Sequence, residues 1–172
     1  MSCVVVFPYC TEWPKHFSKV HDELHSVFSP VTVNIEHIGS TSVPGLAAKP
    51  VIDVLLGAHS LADIESKIKA LEERDYTYVS KYERELPMRR YFVKSPTGSL
   101  RVHLHAVVVG SRIWQEHLAF RDRLRSDALL RSEYQSLKLR LAQQFAGDKS
   151  AYTTAKHPFI QSVLAAALKP DR

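Results

Sequence analysis

The chain has few of the features that would place it quickly. It has two cysteines in 172 residues, Cys3 and Cys10, and neither belongs to a C-x-x-C pair. That excludes a disulfide-built scaffold and a cysteine metal knuckle, and predicts free thiols in a reducing cytoplasm. No run approaches the roughly 18 apolar residues of a membrane span. The opening MSCVVVFPYC has no basic segment ahead of its short apolar run, so no secretory leader is expected. Internal repeats and low-complexity tracts are missing as well. There is also no block of like charge: 23 Lys and Arg are dispersed among 18 Asp and Glu, for a net charge of +5. This balance weighs against a polynucleotide track and suits a local site for a small anion.

What is present is enough for a core. The hydrophobic content is 45%, and the length suits one domain over 1–172. From 12 to 28, Trp13, Phe17, Val20, Leu24 and Phe28 recur at helical spacing, with Pro14 in the first turn. Residues 31–38 alternate, Val31, Val33 and Ile35 against Thr32, Asn34 and Glu36, which predicts a half-buried strand. VIDVLLG is apolar on both faces and reads as a central strand. HSLADIESKIKALEERD predicts one helix capped by Ser60 with Asp63 behind it. YTYVSKY, RRYFVKS and LRVHLHAVVV read as strands, and from Ser111 the pattern is helical, interrupted near His157 and Pro158. The plan is α+β, with an α/β part over about 1–110 and a helical part over about 111–172. Trp13 and Trp114 fall on apolar stripes and read as core.

The informative stretch is IEHIGSTSVPGLAAKPVIDVLL. A strand running into Gly39, Ser40 and Thr41 gathers backbone N–H groups and hydroxyls at its end, an arrangement that cradles phosphate or simply turns the chain. Asp53 lies inside an apolar strand, where a carboxylate needs a cation, hydrogen bonds or a metal.

These residues closely resemble the signature of the GrpB-like family, a group within the nucleotidyltransferase superfamily, whose catalytic fold is that of DNA polymerase β. YCTEWPKHF, RRYFVK, HLHAVV, HLAFRDRLR, YQSLKLRLAQQF and YTTAKHPFI resemble its other blocks, so the likeness runs over nearly the whole chain. The resemblance implies a nucleotidyltransferase-like mixed sheet with flanking helices. It also implies two-metal transfer of a nucleotidyl or phosphoryl group from a nucleoside triphosphate. Under it, Gly39, Ser40 and Thr41 match the phosphate loop and Asp53 the first metal carboxylate.

The chain departs from that scheme where the second carboxylate belongs, because Leu55 stands there. His103 and His105 share a strand face and converge on Asp53 if their strand lies beside it. The three then form a metal set with magnesium or manganese, or with zinc or iron as the imidazoles suggest, or a metal-free hydrogen-bonded group. Glu36 is a substitute metal carboxylate or a cap for the loop. Lys49, Arg90, Arg121 and Lys156 are candidate phosphate ligands, with at most one of the adjacent Arg89 and Arg90 entering the site. The leading expectation is a cytoplasmic, metal-dependent nucleotidyltransferase acting on a small acceptor. The alternatives are a catalytically silent module that holds a nucleotide or phosphorylated metabolite, and a hydrolase with one metal on Asp53, His103 and His105.

Overall fold

In the computed structural model, which describes residues 4–168, five segments pair into one mixed sheet. They are β1 (Asn34–Ile38), β2 (Val51–Ala58), β3 (Thr77–Tyr78), β4 (Arg89–Lys94) and β5 (Arg101–Val108). Their spatial order is β1-β2-β5-β4-β3. β2 and β5 run parallel, and the β1–β2, β4–β5 and β3–β4 pairs are antiparallel. β2 therefore has a neighbour on each side, as its apolar run predicts. Seven α-helices surround the sheet: α1 (Trp13–Phe28), α2 (Leu61–Glu65), α3 (Ile68–Glu72), α4 (Arg112–Ser126), α5 (Ala128–Gln144), α6 (Lys149–Ala155) and α7 (His157–Ala167).

Each face of β2 finds its own cover, which explains its lack of alternation. Ile52, Val54, Leu56 and Ala58 join Val102, Leu104, Ala106 and Phe92 in the largest core, against Trp13, Leu24 and Phe28 of α1, Ile64 of α2 and Leu71 of α3. On the opposite face Leu55 packs with Ile38, Val107 and Trp114 of α4. The C-terminal helices then build their own core, in which Leu124 and Tyr134 meet Val43 and Leu46 of the loop after β1. That contact brings the helical third down onto one end of the sheet.

Local sequence explains most element ends. Ser60 caps α2 by accepting from the Asp63 N–H at 3.1 Å, and the break between α6 and α7 falls beside Pro158. Three expectations are corrected. The helix expected over 59–75 divides into α2 and α3, because the Ser66 hydroxyl bonds the Asp63 carbonyl at 2.7 Å and Lys67 leaves helical geometry at φ −105°. YTYVSKY contributes only Thr77–Tyr78 to the sheet, and Ser80–Tyr82 turns as a short 3-10 helix. β1 begins at Asn34 rather than at residue 31. Cys10 is a free thiol, and Cys3 lies outside the described residues. Among those residues no helix is long and apolar enough to cross a membrane.

Candidate functional site

The site begins where β1 ends. Ile38 pairs with Asp53, and Gly39 follows with φ 71° and ψ −178°, a conformation that is almost exclusive to glycine. A Cβ at Gly39 would stand 2.4 Å from Asp53 Oδ2, so the glycine is what lets the carboxylate lie against the loop. The three hydroxyls beyond it divide their roles. Ser42 Oγ donates to the Gly39 carbonyl at 2.6 Å. Thr41 Oγ1 donates to the Val51 carbonyl at 2.9 Å and accepts from His37 Nε2 at 3.0 Å. With its residue 1% exposed, the Thr41 hydroxyl is committed to pinning the loop to β2. Ser40 lies beside the Tyr134 hydroxyl, and Ser40 and Thr41 both line the cleft described below. His37 must carry its proton on Nε2, because the Thr41 proton is already donated elsewhere. It stacks on Phe17 with centroids 4.6 Å apart, and burial pushes its pKa down to about 4.

The β2–β5 register sets Asp53 opposite His103 and Leu55 opposite His105. Both imidazoles reach Asp53 Oδ1, His103 through Nδ1 at 3.5 Å and His105 through Nε2 at 3.7 Å. Arg89 Nη1 lies 3.2 Å from His105 Nδ1. A guanidinium only donates, so Nδ1 accepts and the His105 proton sits on Nε2, toward Asp53. Burial alone would raise the Asp53 pKa, but the imidazoles of His103 and His105 beside it outweigh that and hold the carboxyl well below its usual range. His105 is pushed down by burial, with Asp53 opposing the shift. His103 differs in one respect: its Nε2 is buried and has no hydrogen-bond partner among the described residues.

These residues do not fit the two-metal centre that the resemblance implies. Leu55 is fully buried in hydrocarbon, so the second carboxylate's place is closed. Glu36 lies on the Asp53 face but is bound by Arg121 at 2.6 Å, so these two candidates neutralise each other. One carboxylate oxygen with two imidazoles, each turning a ring N–H toward it, is a poor magnesium set. Among the described residues no group of three or more His, Cys, Asp and Glu side chains is arranged to hold a metal ion.

The cations are arranged better than the carboxylates. Arg90 lies on the opposite face of the sheet, 2.6 Å from Glu65 and 3.8 Å from Glu83, which corrects its expected place in the site. Arg89 is the arginine that faces Asp53 and its histidines. A cavity of about 550 Å³ has Ser40, Thr41, Asp53, His103, Lys49, Arg101, Lys138, Lys149 and Lys156 among its walls. Its five cations face one carboxylate, and among the described residues none of the five lies within 4 Å of a carboxylate. Lys138 escaped the reading of the sequence. It is 3% exposed, donates to the Ala47 carbonyl and lies over the Tyr134 ring at 5.1 Å. Burial pushes its pKa down to about 7. The available signal was its position, four residues after Tyr134 and three before Leu141, on the apolar stripe of α5. Lys156 lies over the Tyr152 ring at 4.4 Å and is also lowered by burial.

A second chamber of about 430 Å³ opens between α4 and α7, with Phe120, Ile160 and Leu164 on its apolar side and His117, Arg121 and Gln161 on its polar side. Burial pushes the His117 pKa down to about 4, and its ring lies 5.6 Å from that of His105. Ser40, Asp53, Thr153 and Lys156 line both chambers, so the two form one cleft with Asp53 at the junction.

Known proteins resemble the chain in sequence and in fold. The family model described as GrpB protein matches residues 3–166. The glutamate-rich protein GrpB of Alkalihalophilus pseudofirmus is 32% identical over 94% of each chain. The UPF0157 protein YqkA of Bacillus subtilis is 34% identical over 92% of this chain, which spans 46% of that relative. Among solved structures, the conserved protein GrpB from Enterococcus faecalis superposes with a TM-score of 0.86 at 32% identity, covering 95% of this chain and 97% of the other. The Cid1 poly(U) polymerase superposes at 0.58 with 13% identity, over 87% of this chain and 49% of its own. Terminal uridylyl transferase 4 from Trypanosoma brucei gives 0.56 at 13%, over 92% and 54%. At that identity the likeness shows a shared nucleotidyltransferase fold.

Proposed function

The chain belongs to the GrpB family, and from that premise we propose that it binds a nucleoside triphosphate in the cleft at Asp53. The phosphates lie in the cationic chamber and the nucleoside between α4 and α7. The observation that carries this reading is the imbalance of charge: Lys49, Arg101, Lys138, Lys149 and Lys156 line the chamber with Asp53, and among the described residues none of the five has a carboxylate partner of its own. Such a cluster repels itself until a polyanion fills it, so its favourable state is the liganded one. Phe120, Ile160 and Leu164 offer a base an apolar wall, and Gln161 offers hydrogen bonds to its edge. The cations take the part that metal ions play elsewhere in the superfamily, which makes the silent module the better of the earlier expectations. Calorimetric titration of ATP, GTP, UTP and CTP in EDTA tests it. At least one is expected to bind saturably, and Lys156→Met to weaken it by about tenfold or more. Failure of all four to bind removes the proposal.

One observation favours a second reading, transfer of the nucleotidyl group to a small acceptor. His103 directs Nδ1 at Asp53 and leaves Nε2 without a partner, the arrangement of a general base oriented by a carboxylate. Incubation with α-labelled triphosphates and a metabolite pool, with and without added Mg²⁺ or Mn²⁺, separates the two. A labelled product that disappears in His103→Gln supports transfer, whereas saturable binding without product leaves the binding reading alone.

A further inference from the structure

We propose that the cleft continues past His103 into a third subsite, which holds a small phosphorylated molecule carrying a free hydroxyl group. The proposal rests on the nucleotide reading for what lies beside it. A cavity of about 480 Å³ lies next to the Ser80–Tyr82 turn, and Lys81, Tyr82, Tyr91, Arg101, His103 and Lys149 are among its walls. Arg101, His103 and Lys149 also line the cationic chamber, so a ligand here meets the nucleotide's phosphates across three shared side chains.

Two features define the ligand. Lys81, Arg101 and Lys149 outnumber Asp75, the one carboxylate lining the cavity among the described residues, and this favours an anion. Tyr82 and Tyr91 meet edge to face with centroids 6.0 Å apart. Lys81 lies over the first ring at 4.9 Å and Arg89 over the second at 5.0 Å. Rings held this way give a compact carbon skeleton a firm wall to pack on. The His103 ring stands perpendicular to Tyr91, with centroids 5.8 Å apart. With Nδ1–H directed at Asp53, its Nε2 is a buried acceptor that lacks a donor. A ligand hydroxyl supplies that donor while the ligand phosphate lies among the cations. In the transfer reading, this hydroxyl stands where an acceptor must stand.

The probes are ribose 5-phosphate and, keeping the ring but lacking the free hydroxyls, tetrahydrofurfuryl phosphate, each titrated into protein saturated with α,β-methylene ATP. Ribose 5-phosphate is expected to bind about tenfold more tightly than tetrahydrofurfuryl phosphate. His103→Leu should erase that preference, and His103→Asn gives the same comparison should the leucine variant not fold. Tyr82→Ala should weaken ribose 5-phosphate by about tenfold while leaving the ATP analogue within about twofold. The subsite is overturned if ribose 5-phosphate does not bind, if it competes with the ATP analogue, or if its preference survives in the His103 variants. Should the ATP analogue itself fail to bind while the His103-dependent preference persists, the nucleotide reading falls and the subsite stands.

Discussion

The two faces of β2 carry opposite chemistry at alternate residues. Toward α1, α2 and α3 the strand presents Ile52, Val54, Leu56 and Ala58, each 1% exposed or less. Toward the C-terminal helices it presents Gly57, Leu55 and Asp53 in turn, and their surroundings change from one to the next. Gly57 has no Cβ because Trp114 occupies that space, 2.7 Å from where a Cβ would stand. Leu55 is sealed in the same apolar patch. Asp53 comes out from under α4, where two imidazoles and a cluster of cations meet it. The first face holds the fold together. The second meets the cleft only at the end that α4 leaves open, where Asp53 stands and Leu55 does not.

Substitutions on the two faces should therefore separate stability from binding. Phe92→Ala, on the apolar face, is expected to lower unfolding free energy in urea by about 3–5 kcal/mol and to leave the ATP affinity of the folded protein unchanged. Gly39→Ala strikes at the junction. Its strained φ and the clash with Asp53 should cost about 2–4 kcal/mol and at least about tenfold in ATP affinity together. A loss of stability alone would show that Gly39 serves only the turn.

Lys138 sharpens the comparison with a smaller effect. Its pKa is lowered in the folded chain to about 7, so the unfolded chain binds more protons between that value and the ordinary lysine range. Stability of the free protein should then rise with pH across that window, and Lys138→Met should flatten the rise. A bound phosphate reverses the balance by favouring the charged ammonium. ATP affinity should increase as pH falls through about 7 with uptake of a proton. Titrations in buffers of different ionisation enthalpy measure that proton directly. Lys156, lowered by burial and raised by Asp53, faces the same chamber and contributes in the same direction.

Much of this site is legible in the sequence because its signals are local. An acid in an apolar run marks Asp53, period-two spacing puts His103 and His105 on one face, and Gly39 precedes a hydroxyl cluster. What stays hidden depends on non-local register. Arg89 and Arg90 are indistinguishable until β4 pairs with β5 and turns Arg90 toward Glu65. Glu36 and Arg121 both look free in the sequence, yet the packing of α4 over β1 makes them a pair. Thr41 and Ser40 differ only in which of them the 3-10 turn points at Val51. Lys138 looks like a solvated helix residue until α5 docks on the loop and the Ala47 carbonyl receives its ammonium.

The most direct test of the cationic site compares ATP binding in EDTA for wild-type protein and Asp53→Asn. The asparagine keeps an Oδ1 for His103 and His105, which both address that atom, and removes the one carboxylate that lines the five-cation chamber among the described residues. Equal or tighter binding in the variant is the predicted result. A loss of about tenfold or more, or wild-type binding that appears only when a divalent metal is added, would contradict it.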